Sequence, residues 1–432
     1  FHEFQTLAAQ AEGEQFVIQD GNYQFVSQHA YKDLTFVSLA NGYGQISWWK
    51  ADTDEAGNTL LRESQYVAVK TDGSEWVNGA PASDKNALLP VGNLTAIDGK
   101  TGQAANTGPV GVFEFLALIS SEDSTVQMWK KASFKENGES LTIHYPLQMS
   151  GNKFMRPGLK FKVEGSFMDK IDFVSLMLAL FFGTAALPHV LIRYYTVPDP
   201  ASARKSTIVA IAAIGFFYIL TLYMGLGAMV NGVLNPADGN MSAPLLARSF
   251  GVFLFAVISA IAFATVLGTV SGLIVAASGA VAHDFMDMFL KIKMTDQQKV
   301  MAGKITAVAV GVIAIILGII FEGMNVSFLV GWAFAVAASA NLPAIMMVLF
   351  WEKTTAQGVV SSVFAGIVVA LGIILLSPDM YVRYGMDPAS APLSFSQPGL
   401  LSIPISFIVL IIVSLATQKQ KSQKEVATSM AD

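Results

Sequence analysis

Residues 172–196 read DFVSLMLALFFGTAALPHVLIRYYT, an apolar run of helix-spanning size that interrupts itself near its centre. A helix that crosses a bilayer needs about 20 mostly apolar residues. Here Gly183, Thr184 and Pro188 fall in the middle, followed at once by His189. Pro188 offers no backbone N–H, and its ring clashes with the carbonyl one turn earlier. In lipid, freed backbone groups are tolerated only where protein encloses them or a hydrated cavity reaches them. Two readings follow. The run is either a proline kink in an ordinary span or one of the interrupted helices that mark a transporter's binding site.

The surrounding composition favours a membrane protein. Of 432 residues, 53% are hydrophobic and only 14% charged, and the mean hydropathy is +0.50. That is too apolar for a soluble chain of this length. The apolar residues are unevenly placed. Residues 1–169 hold 13 Lys/Arg against 20 Asp/Glu, a net of −7, and contain no run long enough to span. Residues 170–432 hold 14 Lys/Arg against 12 Asp/Glu. Neither part is basic enough for nucleic-acid binding. With no cysteine, disulfides and thiolate metal sites are excluded. The chain begins at Phe1 and FHEFQTLAAQ is no signal peptide, which predicts a fragment or a processed product.

Residues 1–169 predict a mainly β domain. The runs YQFVS, LTFVSLA, GQISWW, QYVAVK, VGVFEFLALIS, STVQMW, SLTIHYPL and LKFKVEG are separated by NG, DG and GN turn signals. Asp52, Asp54, Gly57 and Glu63 occupy positions one, three, six and twelve of a calcium-loop pattern. Position five is Ala56, however, and the flanks alternate like strands, so a hairpin with an acidic tip is expected. His2, His29 and His144 stand apart from any nucleophile or metal-ligand set.

Residues 170–417 contain seven apolar segments, at about 170–192, 206–230, 249–282, 303–321, 325–350, 357–377 and 398–416. Charge decides whether the long third segment is one span or two. As one span, it places eleven basic residues on one side: Arg193, Arg204, Lys205, Lys291, Lys293, Lys299, Lys304, Lys353, Lys419, Lys421 and Lys424. Only Arg248 and Arg383 then lie on the other. Positive residues stay in the cytoplasm. Residues 1–169 are therefore expected outside, and the tail 418–432 inside, a multi-pass protein of the cell (inner) membrane. The polar groups of the long segment are nearly all hydroxyls: Ser259, Thr265, Thr269, Ser271 and Ser278, with Gly268 and Gly272 forming a GxxxG.

Three stretches in order carry a family resemblance. They are GTAALPHVLIRYYTVPDPASARKS, the hydroxyl-rich helix ending AHDF, and VGWAFAVAASANLPAIMMVLFWEKTTAQG at 330–358. Together they resemble the solute:sodium symporter family, in its acetate-permease-like branch, over residues 170 to about 378. The resemblance implies an all-α membrane protein with a LeuT-type fold of two inverted five-helix repeats, each opened by a broken helix. The interrupted run would open the second repeat, and the chain would lack the first. Residues 1–169 resemble an extracytoplasmic insertion. Leu180, Thr184 and Pro188 match positions that face substrate in relatives. Thr269 matches a sodium-binding hydroxyl, with Ser271 beside it as a second candidate, and Gly268 stands where the family has its other hydroxyl. Sodium and proton both stay open as the coupling ion.

The function this implies is cation-coupled symport of a small organic solute, acetate or another short monocarboxylate, with no cofactor and no enzymatic step. The alternative is a membrane sensor whose outer domain binds a ligand; its 15-residue tail, 418–432, is short for a signalling output. An intramembrane enzyme using His189 or His283 lacks a nucleophile or ligand set beside either residue.

Overall fold

The computed structural model describes residues 4–429, apart from 13–14, 54–57, 93, 137, 192–193, 195, 293 and 325. Its contacts divide it into two compact units, Phe1–Arg156 with Ile214–Ile261 and Pro157–Ala213 with Ala262–Asp432. The strands are β1 Thr6–Glu12, β2 Gln15–Ile18, β3 Tyr23–Tyr31, β4 Leu34–Asn41, β5 Ile46–Thr53 and β6 Thr59–Val69. They continue as β7 Glu75–Val77, β8 Ala80–Pro81, β9 Leu94–Ala96, β10 Thr125–Glu136 and β11 Glu139–Ser150. The helices begin with α1 Val112–Ser120, α2 Gly151–Phe154, α3 Phe167–Ala186, α4 Pro188–Leu191, α5 Pro200–Val230 and α6 Ser242–Ser249. They end with α7 Val252–Gly279, α8 Asp296–Ile320, α9 Val326–Phe350, α10 Ala356–Leu375, α11 Pro378–Arg383 and α12 Gly399–Ser429.

The first unit is built on β6. Its first half pairs with β1 and β5, its second half with β11 and β7, all antiparallel. One strand thus serves two sheets, in the order β3-β4-β5-β6-β11-β10-β9. Alternation then sends neighbouring side chains to opposite faces. Phe36 and Trp48 join Tyr66, Ile143 and Tyr145 on one side. Val37, Leu39, Trp49 and Leu61 join Leu7 and Ala9 on the other. With both faces covered, Phe36, Val37, Ser38 and Leu39 of β4 are buried in succession, and the apolar residues do not alternate strictly with polar ones. The turn between β7 and β8 is Asn78-Gly79, both at positive φ (48° and 85°), as a two-residue hairpin of this type requires. The hairpin expected around the calcium-like pattern is the β5–β6 pair; residues 54–57 lie outside the described residues.

Two of the expected strands are not strands. VGVFEFLALIS forms α1, with the Gly111 N–H donating to the Glu114 carboxylate (3.2 Å) at its start. Phe115, Leu116 and Ile119 share a helical face and pack with Leu226 and Met229 near the end of α5. LKFKVEG is a 3-10 turn over Leu159–Phe161 between residues with left-handed backbone, Gly158 and Lys162.

In the second unit α3, α9, α10 and α12 pack as a bundle joined by small residues. A Cβ placed on Gly183 would lie 2.6 Å from the Phe334 Cβ, so α3 and α9 approach at their backbones. Hydroxyls bridge the helices: Ser339 to Ser402 (2.6 Å), Ser406 to the Ser362 carbonyl (2.8 Å), and Thr355 to Thr417 (2.7 Å). This is how helices associate where water provides no hydrophobic drive.

Among the described residues six helices are long and apolar enough to cross a membrane: α5, α7 (continuing to Ala282), α8, α9, α10 and the first part of α12. Seven segments were expected. The difference is α3, whose opening turns carry Asp169, Lys170 and Asp172 and which stops at Ala186. The uncharged stretch 173–186 measures ~21 Å at 1.5 Å per residue, short of ~30 Å of hydrocarbon. The long third segment is a single helix, α7, which passes into a π-helical stretch at Ala280–Phe289. α7 and α8 bury none of their residues, and α5 only Leu226, Ala228 and Met229. A helix that is apolar all round and unburied calls for lipid or further protein around it.

Candidate functional site: the break between α3 and α4

α3 begins at a capping box, with the Ser166 hydroxyl accepting from the Asp169 N–H (3.3 Å) and the Asp169 carboxylate accepting from the Ser166 N–H (2.9 Å). It ends where Pro188 removes the donor that the Thr184 carbonyl would need. Leu187 turns to an extended conformation (φ −74°, ψ 119°), and α4 adds one further turn. The Ala186 carbonyl, left open by the turn, accepts a hydrogen bond from the Asn341 side-chain amide of α9 (3.0 Å). Around it Ala186, Ala338, Leu342 and Ile403 close an apolar cluster. The break is therefore braced from the neighbouring helix.

The buried face of α3 is Ser175, Leu176, Ala179, Gly183 and Ala186. Leu180, Thr184 and Pro188 occupy a different face, with Leu180 half-buried and the other two exposed. The structure links the first two, since the Thr184 hydroxyl donates to the Leu180 carbonyl (2.7 Å). Thr269 and Ser271 are exposed on α7, so neither is packed against the break. The Thr269 hydroxyl donates to the Thr265 carbonyl of its own helix (3.0 Å). That bond uses its proton and leaves its lone pairs available to a cation. Gly268 and Gly272 have open space where a Cβ would stand.

Two polar features went unread in the sequence. Asn341 was one, although a lone carboxamide inside a 25-residue apolar helix is a signal in itself. The other lies at the opposite end of α3, where Asp172 accepts the N–H groups of Ser396 (3.0 Å) and Gln397 (2.6 Å) through one oxygen. Nearby, the Ser175 hydroxyl donates to the Gln397 carbonyl (2.7 Å) and accepts the Leu400 N–H (2.9 Å) as α12 begins. Among the described residues no three of His, Cys, Asp and Glu are grouped as around a metal. In the β unit, Asp52 pairs with Lys50 and Arg62, and the Glu63 carboxylate accepts the Gln5 N–H (2.8 Å).

Six apolar spanning helices, most with unburied faces, and a helix interrupted beside a packed bundle define a multi-pass membrane protein. The model of the sodium:solute symporter family matches residues 118–366, and the chain belongs to that family, one of transporters rather than enzymes. A monocarboxylic acid transporter of Corynebacterium glutamicum is 45% identical over 268 residues, 59% of this chain and 48% of the relative. An uncharacterized symporter of Bacillus subtilis, YwcA, is 39% identical over 339 residues, 74% of this chain and 63% of the relative. The chain thus spans between about half and just under two thirds of the length of these relatives. No solved structure matches it.

Proposed function

We propose that this protein acts in cation-coupled symport of a small monocarboxylate, with the α3–α4 break as part of the solute site. The observation that carries this is the braced break itself: a helix end held open by Pro188 and supported by Asn341. The Thr184 carbonyl, deprived of its helical donor by Pro188, and the Leu180, Thr184 and Pro188 face would receive the solute. Leu180 and Thr184 are less bulky than the aromatic side chains of the proline-transporting relatives, which is compatible with a small monocarboxylate. Thr269, with Ser271, would ligate sodium through hydroxyl oxygens, without burial of a carboxylate. α3 to α9 would form the second repeat of a LeuT-type fold, and the apolar faces of α5, α7 and α8 would meet lipid and the first repeat. The family membership and the named monocarboxylate relative support the solute class.

Helix directions support the expected topology. Leu176 lies against Gly331, Gly183 against Phe334 and Ala186 against Asn341, so α3 and α9 run the same way. With α3 and α4 taken together as one interrupted crossing, the three crossings α5, α7 and α8 would return the chain to the end where α3 began. A split α7 would reverse α9. Residues 1–169 would then lie outside, residues 170–417 would form the membrane part, and the tail 418–432 would be cytoplasmic. The test is uptake of radiolabelled acetate and pyruvate by proteoliposomes carrying the full-length protein. A sodium gradient should drive accumulation, and its collapse should end it. Accumulation that follows only a pH gradient would remove sodium, and none under either gradient would remove the transport reading.

A further inference from the structure

Within the first unit, α1 lies against the last turns of α5. The Tyr223 hydroxyl of α5 donates to the Val112 carbonyl at the start of α1 (3.1 Å), and the Phe115 and Tyr223 rings stack with centroids 6.3 Å apart. Phe115, Leu116 and Ile119 join Leu226 and Met229 in one apolar cluster. Just past α5, Val91 and Leu234 exchange backbone hydrogen bonds (2.8 Å each), and a Cβ on Gly92 would lie 2.5 Å from the Met229 carbonyl oxygen. The β unit is thus fastened to the end of α5 at several points. With one face of α1 occupied in this way, Val112 and Phe113 are left 61% and 85% exposed. Each forgoes the ~1.5–3 kcal/mol that full burial of such a side chain supplies.

The height of Tyr223 on α5 decides which solvent they meet. α5 is long and apolar enough to span, and its apolar run starts at Ile208, after Arg204 and Lys205. About 20 residues cross ~30 Å of hydrocarbon, so a crossing that starts at Ile208 reaches Gly227. Tyr223 then stands ~6 Å inside the boundary, at 1.5 Å per residue. Helix side chains lean toward the N-terminus of their own helix, which for α5 is the end away from the β unit, so the ring does not climb back toward water. One turn deeper on the same face, Ile219 is 55% exposed. Glu114 follows Phe113, but its carboxylate turns back onto the Gly111 N–H (3.2 Å), where the helix dipole offsets part of its charge. We propose that the start of α1 is a lipid anchor, with Val112 and Phe113 inserted into the rim of the bilayer on the side of the β unit. Apolar faces at this boundary sink ~5–10 Å, which matches the level of Tyr223. Lipid is the occupant because the patch continues, through Tyr223 and Ile219, the exposed face of a spanning helix. The inference rests on α5 as a span and is independent of the solute and the coupling ion.

The experiment is spin labelling of single cysteines in the full-length protein in proteoliposomes, with any cysteine outside this chain replaced by serine. A label on Phe113→Cys should collide freely with lipid-soluble oxygen. Its collision rate with a water-soluble nickel chelate should fall severalfold below that of Tyr43→Cys, which is 93% exposed in the turn between β4 and β5. Ile219→Cys gives the value for a label in lipid. Phe113 is exposed, so its replacement removes little packing, and Val112→Cys repeats the measurement one residue away. Nickel collisions at both positions as frequent as at Tyr43→Cys would place the patch in water and overturn the anchor. Labels shielded from both probes would overturn it too, since protein, either the first repeat or a second copy, would then cover the patch.

Discussion

The Asn341 amide donates to the Ala186 carbonyl across 3.0 Å, joining residues 155 positions apart in sequence at the point where α3 cannot continue. Ala186 is fully buried among the packed helices, so its carbonyl has no water to turn to. Asn341→Leu should therefore cost about 1–3 kcal/mol, the usual penalty for orphaning one buried polar group. Thermal melts in detergent would show a lower midpoint, and proteoliposome uptake should fall with it. Asn240→Ala, in the exposed 3-10 turn Gly239–Met241, should change neither.

Gly183 and Gly268 are both helix glycines with opposite surroundings. A Cβ on Gly183 would meet the Phe334 carbonyl oxygen at 2.7 Å, backbone that cannot move aside. Gly183→Ala should destabilise by ~1–3 kcal/mol through overpacking. A Cβ on Gly268 meets nothing within 4 Å. Gly268→Ala should leave the chain as stable or gain up to ~1 kcal/mol from helix propensity. Unfolding midpoints of the two variants decide this.

If the Thr269 hydroxyl ligates sodium, Thr269→Val removes one oxygen while keeping shape. Loss of one such partner is worth ~1–3 kcal/mol, roughly a 5- to 150-fold rise in the sodium concentration for half-maximal uptake. Solute affinity should fall too at limiting sodium, because coupling is reciprocal. Ser278→Ala, whose hydroxyl bonds back to the Val275 carbonyl (2.9 Å), should change neither quantity. An unchanged sodium titration in Thr269→Val removes that residue from the site.

His144, on β11 and 4% exposed, should make stability depend on acidity. Burial, with a smaller contribution from Lys131, lowers its pKa from 6.5 to about 4. Above pH 6.5 it is neutral folded and unfolded, and contributes no pH dependence. Between 6.5 and 4 the unfolded chain takes up the proton first, so stability falls as pH falls, by up to ~1.4 kcal/mol per unit and ~3 kcal/mol in all. Below 4 the loss levels off. The melting temperature of His144→Gln should decline less than that of the wild type between pH 6.5 and 4; parallel declines would assign the effect to other groups.

Topology can be read in the cysteine-free background. Single cysteines at Ser83, exposed in the β unit, and at Ser422 should label from opposite sides of the membrane. Labelling from the same side would overturn the orientation drawn from the basic residues.

Much of the local architecture is determined by the sequence alone, because its causes act within one or two turns of chain. Pro188 ends α3 wherever the helix is placed, since the missing N–H travels with the residue. Asn78-Gly79 makes a hairpin because both positions need positive φ. The length of an apolar run tells whether it can span, although the acids at 169 and 172 and the break before Pro188 leave α3 an uncharged stretch shorter than the run suggested. Partners were a different matter. VGVFEFLALIS has the apolar content of a strand or a helix, and contact with Leu226 and Met229, over 100 residues later, favours the helix. Nothing near Asn341 says that it reaches Ala186, and nothing near Gln397 says that its backbone is clamped by Asp172, 225 positions away. A single sequence carries propensity and periodicity, which are properties of neighbours along the chain. Which backbone groups go unpaired, and which distant side chain meets them, is settled only when helices pack, because unsatisfied groups are costly only once solvent has been excluded.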